Sequence, residues 1–324
     1  MQAKAIRFGA FGGPEVLEFV DVDVPEPGPG EVRLRHTAIG LNFIDTYHRS
    51  GLYPLKLPSG LGSEAAAEVD AVGADVRGLA PGDRIVYTGA PQDSYSTHRL
   101  YRADRVVPLP EEIDDEVAAA SFLKGLTAWY LLHRSYQVQA GDVVLLYAAA
   151  GGVGSIASQW GKALGATVIG VVSTDEKAEL ALAQGCAHVV RADGDIVGEV
   201  RRLTDGEGVA AAYDSVGRDT FFTSLDCLRP HGVMVSFGNA SGAVEPFAPA
   251  ELAKRHSLYV TRPVLFDFVD TRERLLDAAS TLFAEIASGA IRIRVNQRYD
   301  LQDAAKAHAD LEARRTTGST VLVP

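Results

Sequence analysis

A cluster of small residues between two apolar runs limits most strongly what this chain can fold into. The stretch "VVLLYAAAGGVGSIASQWGKALGATVIGVV" begins at Val143. It predicts a strand, a tight turn, a helix and a second, parallel strand. Ala148, Gly151 and Gly154 form the pattern A-x-x-G-x-x-G, whose small residues allow a pyrophosphate to approach the backbone at the helix N-terminus. We therefore predict a dinucleotide-binding turn at residues 151–154.

The texture of the sequence divides the chain into two parts. The first hundred residues show short strand patterns separated by turn clusters such as "PEPGPGE", which predicts a β-rich domain. From Gly141 strand and helix patterns alternate, which predicts a doubly wound parallel sheet. After Pro263 this alternation stops, and "IRIRV" and "STVLVP" are predicted strands. We expect an α/β protein with a Rossmann domain at residues 125–262, inserted into a domain formed by residues 1–124 and 263–324.

Composition excludes several other classes of protein. The chain has 324 residues, of which 47% are hydrophobic, and a formal net charge of -11, so neither nucleic acid nor an anionic membrane surface is an expected partner. No apolar run is long enough to span a bilayer, and no secretion signal is indicated. The two cysteines, Cys186 and Cys227, are expected to be buried free thiols in a reducing, cytoplasmic compartment.

The end of the second predicted strand favours NADPH over NADH. NADH sites commonly place an acidic residue about 20 residues past the glycines, where it binds the ribose 2′-hydroxyl. Ser173 stands near this position and Lys177 follows within one helical turn, where an ammonium suits a 2′-phosphate. Asp175 lies between them and complicates this interpretation. Lys177 alone is also compatible with an ordinary solvated lysine.

Long stretches of the chain resemble a known family. They include "GLNFIDTYHRSGLYPLKLPSGLGSEAAAEV", "AAAGGVGSIASQWGKALGATVIG" and "YDSVGRDTFFTSLDCLRPHGVMVSFGNASGAV". They resemble the medium-chain dehydrogenase/reductase superfamily, and within it the zinc-free NADPH:quinone oxidoreductases related to zeta-crystallin. The resemblance implies a GroES-like β-rich catalytic domain beside the Rossmann domain, NADPH as cofactor, a quinone as substrate and a homodimer.

The zinc alcohol dehydrogenases of the same superfamily differ at two informative positions. They carry a cysteine where this chain has Asn42 and a histidine where it has Ser63. Neither amide nor hydroxyl is an adequate zinc ligand of that kind. We therefore expect no metal and no oxidation of simple alcohols.

The resemblance also implies which residues contact the bound molecules. Asn42, Asp45 and Tyr47 in "NFIDTY" are implied at the nicotinamide and ribose end of the cofactor, and Tyr53 at the entrance for substrate. Without the resemblance, Asn42 and Asp45 fit turn or cap residues, and the two tyrosines fit surface residues. The other implied cofactor contacts are Tyr130, Gly152, Val153, Ser173, Lys177, Ser215, Phe237, Gly238, Asn239, Arg262, Pro263 and Arg314.

One position departs from the family pattern. The bacterial relatives tend to carry a tyrosine near the end of the third Rossmann strand, where this chain has "HVVRADGD" with Arg191. We hypothesise that Arg191 stacks on the adenine or faces the 2′-phosphate and so offsets Asp175. Lys124, in an apolar run at the domain boundary, either lines the site or pairs with a carboxylate.

Asn42, Tyr47 and Tyr53 are the predicted orienting groups of a quinone reductase, because hydride transfer itself is the chemistry of the cofactor. Two alternatives stay open at this point. One is a reductase of enone or enal C=C bonds on the same scaffold, and the other is a nucleotide-binding structural or RNA-binding protein. The sequence leaves open which quinone is the acceptor and whether one or two electrons move.

Overall fold

The computed structural model describes residues 1–324, which fall into two compact units. Unit 1 comprises Met1–Lys124, Val269–Ala287 and Ile293–Pro324, and unit 2 comprises Gly125–Phe268 and Ser288–Arg292. The chain therefore leaves unit 1, forms unit 2 and returns, as an inserted domain does. Unit 2 reaches Phe268, beyond the expected limit at residue 262.

Unit 1 is rich in antiparallel strands. Its N-terminal elements are β1 (Gln2–Phe8), β2 (Glu18–Asp23), β3 (Glu31–Leu41), α1 (Phe43–Ser50), β4 (Ser59–Gly60), β5 (Glu64–Val72), β6 (Arg84–Thr88), β7 (His98–Arg102), β8 (Val107–Pro108) and α2 (Asp115–Tyr130), the last of which continues into unit 2. The elements of unit 2 are β9 (Val143–Tyr147), α3 (Gly152–Ala163), β10 (Thr167–Val172), α4 (Asp175–Ala183), β11 (His188–Arg191), α5 (Ile196–Leu203), β12 (Val209–Asp214), α6 (Phe221–Asp226), β13 (Leu228–Ser236), α7 (Ala250–Lys254), β14 (Tyr259–Thr261) and α8 (Leu265–Phe268). The chain then returns to unit 1 with α9 (Arg272–Ala287), β15 (Val295–Asp300), α10 (Ala304–Glu312) and β16 (Ser319–Val323).

The largest sheet of unit 1 has seven strands in the order β15-β16-β3-β5-β6-β8, with β7 paired to β3, and a second sheet has the order β2-β1-β4. Alternate residues of β3, such as Val32 and Leu34, are fully buried, because the strand turns one face to the core. This architecture is the expected GroES-like β-rich domain, and it brings the C-terminal strand β16 beside β3.

Unit 2 is a six-stranded parallel sheet in the order β11-β10-β9-β12-β13-β14. This is the doubly wound order of a Rossmann fold, in which the strand order reverses between the first and fourth strands of the domain. Its strands are continuous apolar runs because helices cover both faces; Leu145, Ile169 and Ala212 are fully buried. The expected α/β fold class is confirmed, and β14 is an edge strand of this sheet.

One local expectation needs correction. The run "IRIRV" at residues 291–295 is not a strand; the strand begins at Val295 and pairs in parallel with β16 from the Val295–Ser319 register onward. Ile291 is buried in the core but forms no strand pairing, so the alternation of isoleucine and arginine at residues 291–294 reflects burial and not a strand. The helix α1 begins directly after Asn42, which is its N-cap residue and therefore agrees with the cap considered for this segment.

Candidate functional site

The glycine turn of unit 2 connects β9 to α3, and the helix packs very closely against the end of the strand. A Cβ atom at Gly154 would lie 2.2 Å from the Ala148 carbonyl oxygen and 2.7 Å from the Ala149 Cα, and one at Gly151 would lie 3.1 Å from the same oxygen. A side chain at Gly154 would therefore push the helix off the strand. Ala148 itself has a φ of 51°, the left-handed conformation that a glycine usually occupies.

Helix α3 presents an N-terminus without a side-chain cap. Gly151 is the N-cap residue and has no side chain, and Gly152 and Val153 occupy the first turn. The first amides of a helix have no partner within it, and the helix dipole adds positive potential there. The turn at the carboxyl end of β9 is thus suited to an anionic group such as a pyrophosphate.

The ends of β10 and β11 carry a group of charged residues. The Thr174 hydroxyl caps α4 by accepting a hydrogen bond from the Lys177 amide at 3.2 Å. Arg191, the last residue of β11, pairs with the Asp175 carboxylate and donates to the Ser173 carbonyl oxygen at 2.9 Å. The structure therefore gathers Ser173, Lys177 and Arg191 at one edge of the sheet, together with the acidic Asp175.

A buried carboxylate, which the sequence analysis missed, organises the carboxyl ends of β12 and β13. Asp214 accepts hydrogen bonds from the amides of Val216 at 2.7 Å and Gly217 at 3.0 Å, and from the hydroxyls of Thr220 and Ser224 at 2.7 Å each. It fixes the turn that carries Ser215. The only sequence signal was its place before Ser215 in "YDSVG".

The segment after β13 packs against the same turn. The amides of Phe237 and Gly238 donate to the Asp214 carbonyl oxygen at 2.9 and 3.3 Å. A Cβ atom at Gly238 would lie 2.3 Å from the Ser215 carbonyl oxygen. Ser215, Phe237 and Gly238, with Asn239 next in the chain, are therefore neighbours at the same edge of the sheet as the glycine turn.

Unit 1 contains a buried cluster of Asn42, Glu64 and Lys124. Glu64 Oε1 accepts from Lys124 Nζ at 2.9 Å and from Asn42 Nδ2 at 2.7 Å, while its Oε2 accepts from the Leu123 amide at 2.6 Å. Of the two roles considered for Lys124, pairing with a carboxylate is observed. Glu64 was missed because nothing near it in sequence reveals that its partner lies 60 residues away.

Asp45 lies at the centre of a second buried network. Its carboxylate accepts hydrogen bonds from the Ser63 hydroxyl at 2.8 Å, the Tyr95 hydroxyl at 3.0 Å and the backbone N–H of Asn42 at 2.9 Å. Burial raises the pKa of Asp45 to about 6, although these donors oppose the shift. The contact with Asn42 is part of a capping box at the N-terminus of α1, so Asp45 has the capping role considered for it. Its carboxylate also links Ser63 to Tyr95.

The network continues from Tyr95 to the C-terminal helix. The Tyr95 hydroxyl lies 3.1 Å from His308 Nε2, and Arg49 Nη1 lies 3.1 Å from His308 Nδ1. Because arginine only donates, His308 Nδ1 is the acceptor and Nε2 carries the proton. Burial lowers the pKa of His308 to about 3, so the ring is neutral near pH 7. Neither Tyr95 nor His308 was singled out by sequence.

Tyr47 and Tyr53 form an edge-to-face pair beside α1. Their ring centroids are 5.2 Å apart, the Phe43 ring lies 5.5 Å from that of Tyr47, and the Tyr53 amide donates to the Tyr47 carbonyl oxygen at 3.1 Å. Tyr47 is largely buried and Tyr53 is partly exposed. The three residues predicted to orient a substrate, Asn42, Tyr47 and Tyr53, therefore belong to one short segment around α1.

The remaining four predicted contacts belong to other segments of the chain. The Tyr130 ring stacks on Phe268 at 5.1 Å, and Arg262 and Pro263 follow directly after β14. Arg314 follows α10 with a φ of 58°. Their contacts with a cofactor stay predictions.

The donor set of unit 1 does not suit a catalytic zinc. The Asn42 amide and the Ser63 hydroxyl are neutral, and each donates to a carboxylate of its own chain. No group of three or more histidine, cysteine, aspartate or glutamate side chains is arranged to hold a metal ion. In addition, no helix combines the length and the hydropathy required to cross a bilayer.

Comparison with known proteins gives full-length matches. The zinc-binding dehydrogenase model matches residues 152–281, and the alcohol dehydrogenase GroES-like domain model matches residues 28–111. The chain is 53% identical to a quinone oxidoreductase of Pseudomonas aeruginosa, covering 99% of this chain and 100% of that one. It is 44% identical to a 2-haloacrylate reductase of a Burkholderia species, covering 97% and 96%. The crystal structure of Escherichia coli quinone oxidoreductase complexed with NADPH matches with a TM-score of 0.97 and 49% identity, covering 99% and 100%.

Proposed function

We propose that this chain, which belongs to the quinone oxidoreductase family of the medium-chain dehydrogenase/reductase superfamily, reduces a quinone with NADPH and without zinc. The observation that carries this function is the full-length likeness to quinone oxidoreductases, one of them solved with NADPH. The glycine turn of unit 2 supports it independently, because helix α3 and strand β9 pack too closely there for a side chain at Gly154. Such a turn of small residues is typical of pyrophosphate-binding sites.

Unit 2 supplies the residues that we assign to the cofactor. Gly151, Gly152, Val153 and Gly154 face the pyrophosphate with the N-terminus of α3. Ser173, Lys177 and Arg191 are assigned to the 2′-phosphate, because a hydroxyl, an ammonium and a guanidinium all donate to phosphate oxygens. The remaining assigned contacts are Tyr130, Ser215, Phe237, Gly238, Asn239, Arg262 and Pro263, with Arg314 from unit 1. NADPH, when bound, supplies the hydride.

Unit 1 supplies the residues that we assign to orienting the nicotinamide and the acceptor. The Asn42 amide is held by Glu64 and the Tyr47 ring by Phe43 and Tyr53, so neither group needs to be ordered during the reaction. Asp45 acts behind them, near the ribose. Reduction of a quinone to its hydroquinone consumes one hydride and one further proton, which water or a tyrosine hydroxyl supplies.

Steady-state oxidation of NADPH tests this proposal. We expect turnover with 1,4-benzoquinone or a naphthoquinone that is unchanged by a metal chelator, because no step requires a metal. A chelator-sensitive activity restored by zinc would contradict the metal-free mechanism. Binding of NADPH without turnover of any quinone would contradict the assignment of the acceptor.

A second candidate acceptor is a conjugated C=C bond. It is favoured by the 44% identity to a 2-haloacrylate reductase, whose name indicates an activated alkene substrate. Quinones and conjugated alkenes are both flat and electron-poor, so the same orienting residues suit both. Comparison of kcat/KM for a quinone, an enal and 2-chloroacrylate separates the two functions.

We further propose a homodimer in a reducing, cytoplasmic compartment, with no nucleic-acid partner. The edge strand β14 carries the exposed Tyr259 and has a free pairing edge, which a second copy of the strand is suited to cover. Both cysteines are free and buried, as in proteins of reducing compartments. Sedimentation analysis tests the dimer, and a salt-titrated gel shift with RNA tests the absence of nucleic-acid binding.

A further inference from the structure

Asp175 lies two residues beyond Ser173, close to the position where NADH sites commonly carry an acidic residue. It is the first residue of α4, separated from β10 by Ser173 and Thr174, and lies about 20 residues past the glycine turn, where an acidic side chain is able to accept a hydrogen bond from the ribose 2′-hydroxyl. Its side chain is 92% exposed. Without a partner, this carboxylate would attract NADH and repel the 2′-phosphate of NADPH.

Arg191 approaches the same carboxylate from the neighbouring strand. It ends β11 opposite Val172, the last residue of β10, and its Nη1 pairs with Asp175. Its Nη2 donates to the Ser173 carbonyl oxygen at 2.9 Å and lies 3.4 Å from Asp193. The guanidinium is therefore held against the end of β10 by a backbone oxygen as well as by the carboxylates.

The guanidinium also retains donor capacity. Arginine has five N–H donors and keeps its charge at every physiological pH. The side chain is 36% exposed, and Nη1 donates one of its two N–H groups to Asp175, which leaves the second for a further acceptor. Arg191 is thus able to neutralise Asp175 and still present donors toward a phosphate.

We propose that Asp175 is a masked selectivity residue: Arg191 engages its carboxylate and so converts a position suited to the ribose of NADH into one that favours NADPH. This inference rests on the proposed function, because it concerns the cofactor preference of the same site. It assigns Arg191 two separable effects, attraction of the 2′-phosphate and masking of Asp175. A plain phosphate-binding arginine would have only the first effect.

Equilibrium binding of NADPH and NADH to the full chain, measured by calorimetry, tests the masking. Arg191→Ala is expected to weaken NADPH binding roughly tenfold and to strengthen NADH binding roughly three- to tenfold. Asp175→Ala is expected to leave NADPH preferred. In the double variant the gain for NADH is expected to disappear, because no carboxylate remains to be exposed. Glu179→Ala, which removes an exposed carboxylate one turn further along α4, is the matched control and is expected to leave both dissociation constants unchanged.

The outcomes separate the two proposals. Loss of NADPH affinity in Arg191→Ala with no gain for NADH, or an equal NADH gain in the double variant, would overturn the masking of Asp175 and leave the proposed function intact. A wild-type chain that binds neither dinucleotide would overturn the proposed function itself. Thermal melting verifies that each variant is folded. Arg191→Gln, which also removes the charge, is expected to give the same gain for NADH if the alanine variant is unstable.

Discussion

The Lys124 ammonium and the Glu64 carboxylate form an ion pair at 2.9 Å, with side-chain exposures of 7% and 0%. Glu64 begins β5 and Lys124 lies within α2. The side-chain amide of Asn42 and the Leu123 backbone N–H also donate hydrogen bonds to the carboxylate. A buried carboxylate with three donors is rigid, so it places Asn42 in a fixed orientation at the N-terminus of α1.

Removal of the ammonium is expected to be costly. Lys124→Met leaves the Glu64 charge buried with only two donors, and we expect the free energy of unfolding to fall by about 3 kcal/mol in urea titrations. Glu64→Gln combined with Lys124→Met is expected to recover most of this loss. The exposed pair Arg202–Glu199 is the control, because its Arg202→Ala variant is expected to leave the free energy of unfolding nearly unchanged. Equal losses in the two pairs would contradict the assigned role of burial.

The glycine turn gives a prediction that combines stability and binding. Gly154→Ala places a Cβ 2.2 Å from a backbone oxygen. We therefore expect the free energy of unfolding to fall by about 2 kcal/mol and the dissociation constant for NADPH to increase. Gly9→Ala is the matched control, since a Cβ there meets nothing within 4 Å. Unchanged NADPH binding by a folded Gly154→Ala chain would rule out the turn as the pyrophosphate site.

The left-handed backbone of Ala148 predicts a stabilising substitution. Ala148→Gly relieves a φ of 51° that disfavours residues with a Cβ, and we expect a gain of up to about 1 kcal/mol in chemical denaturation. The neighbouring Ala149→Gly provides the comparison: Ala149 is buried and has an ordinary φ, so this change is expected to destabilise by about 1 kcal/mol. Opposite signs at adjacent positions would be difficult to explain by helix or strand propensity.

The buried histidine of the Tyr95 network predicts a pH dependence. The folded-state pKa of His308 is about 3, below the unfolded value of 6.5, so the unfolded state binds more protons as pH falls below 6.5. Stability from this group is present above pH 6.5 and is reduced by about 2 kcal/mol at pH 5. His308→Gln is expected to lower the free energy of unfolding at pH 7. Between pH 7 and pH 5, however, the variant is expected to lose about 2 kcal/mol less than the wild-type chain, because it lacks the titrating ring. His36, whose pKa is also lowered to about 3 by burial, contributes in the same direction in both chains.

Local patterns predicted the fold better than they predicted the site. The glycine turn and the alternation of strands and helices follow from neighbouring residues, so the doubly wound sheet was evident. The alternating "IRIRV" misled because amphipathic alternation alone does not specify a pairing partner, and the partner strand β16 fixes the start at Val295.

The buried polar networks depend on distant residues. Tyr95 and His308 are 213 residues apart, and Glu64 and Lys124 are 60 apart. No periodicity or spacing connects such pairs, and tertiary structure alone brings them together. Asp214 shows the intermediate case: its neighbours in "YDSVG" were noticed, while its four hydrogen bonds became evident only in the folded chain.

The position of β16 imposes an order of events on a growing polypeptide. This strand, Ser319–Val323, inserts between β15 and β3 and buries Val321 and Leu322 completely. During translation the seven-stranded sheet must therefore wait, with residues 39–41 of β3 unpaired on that side, until Ser319–Val323 have left the ribosome. Every strand of the Rossmann sheet has emerged before that moment, so the dinucleotide-binding fold is free to form before the domain that bears Asn42 is closed.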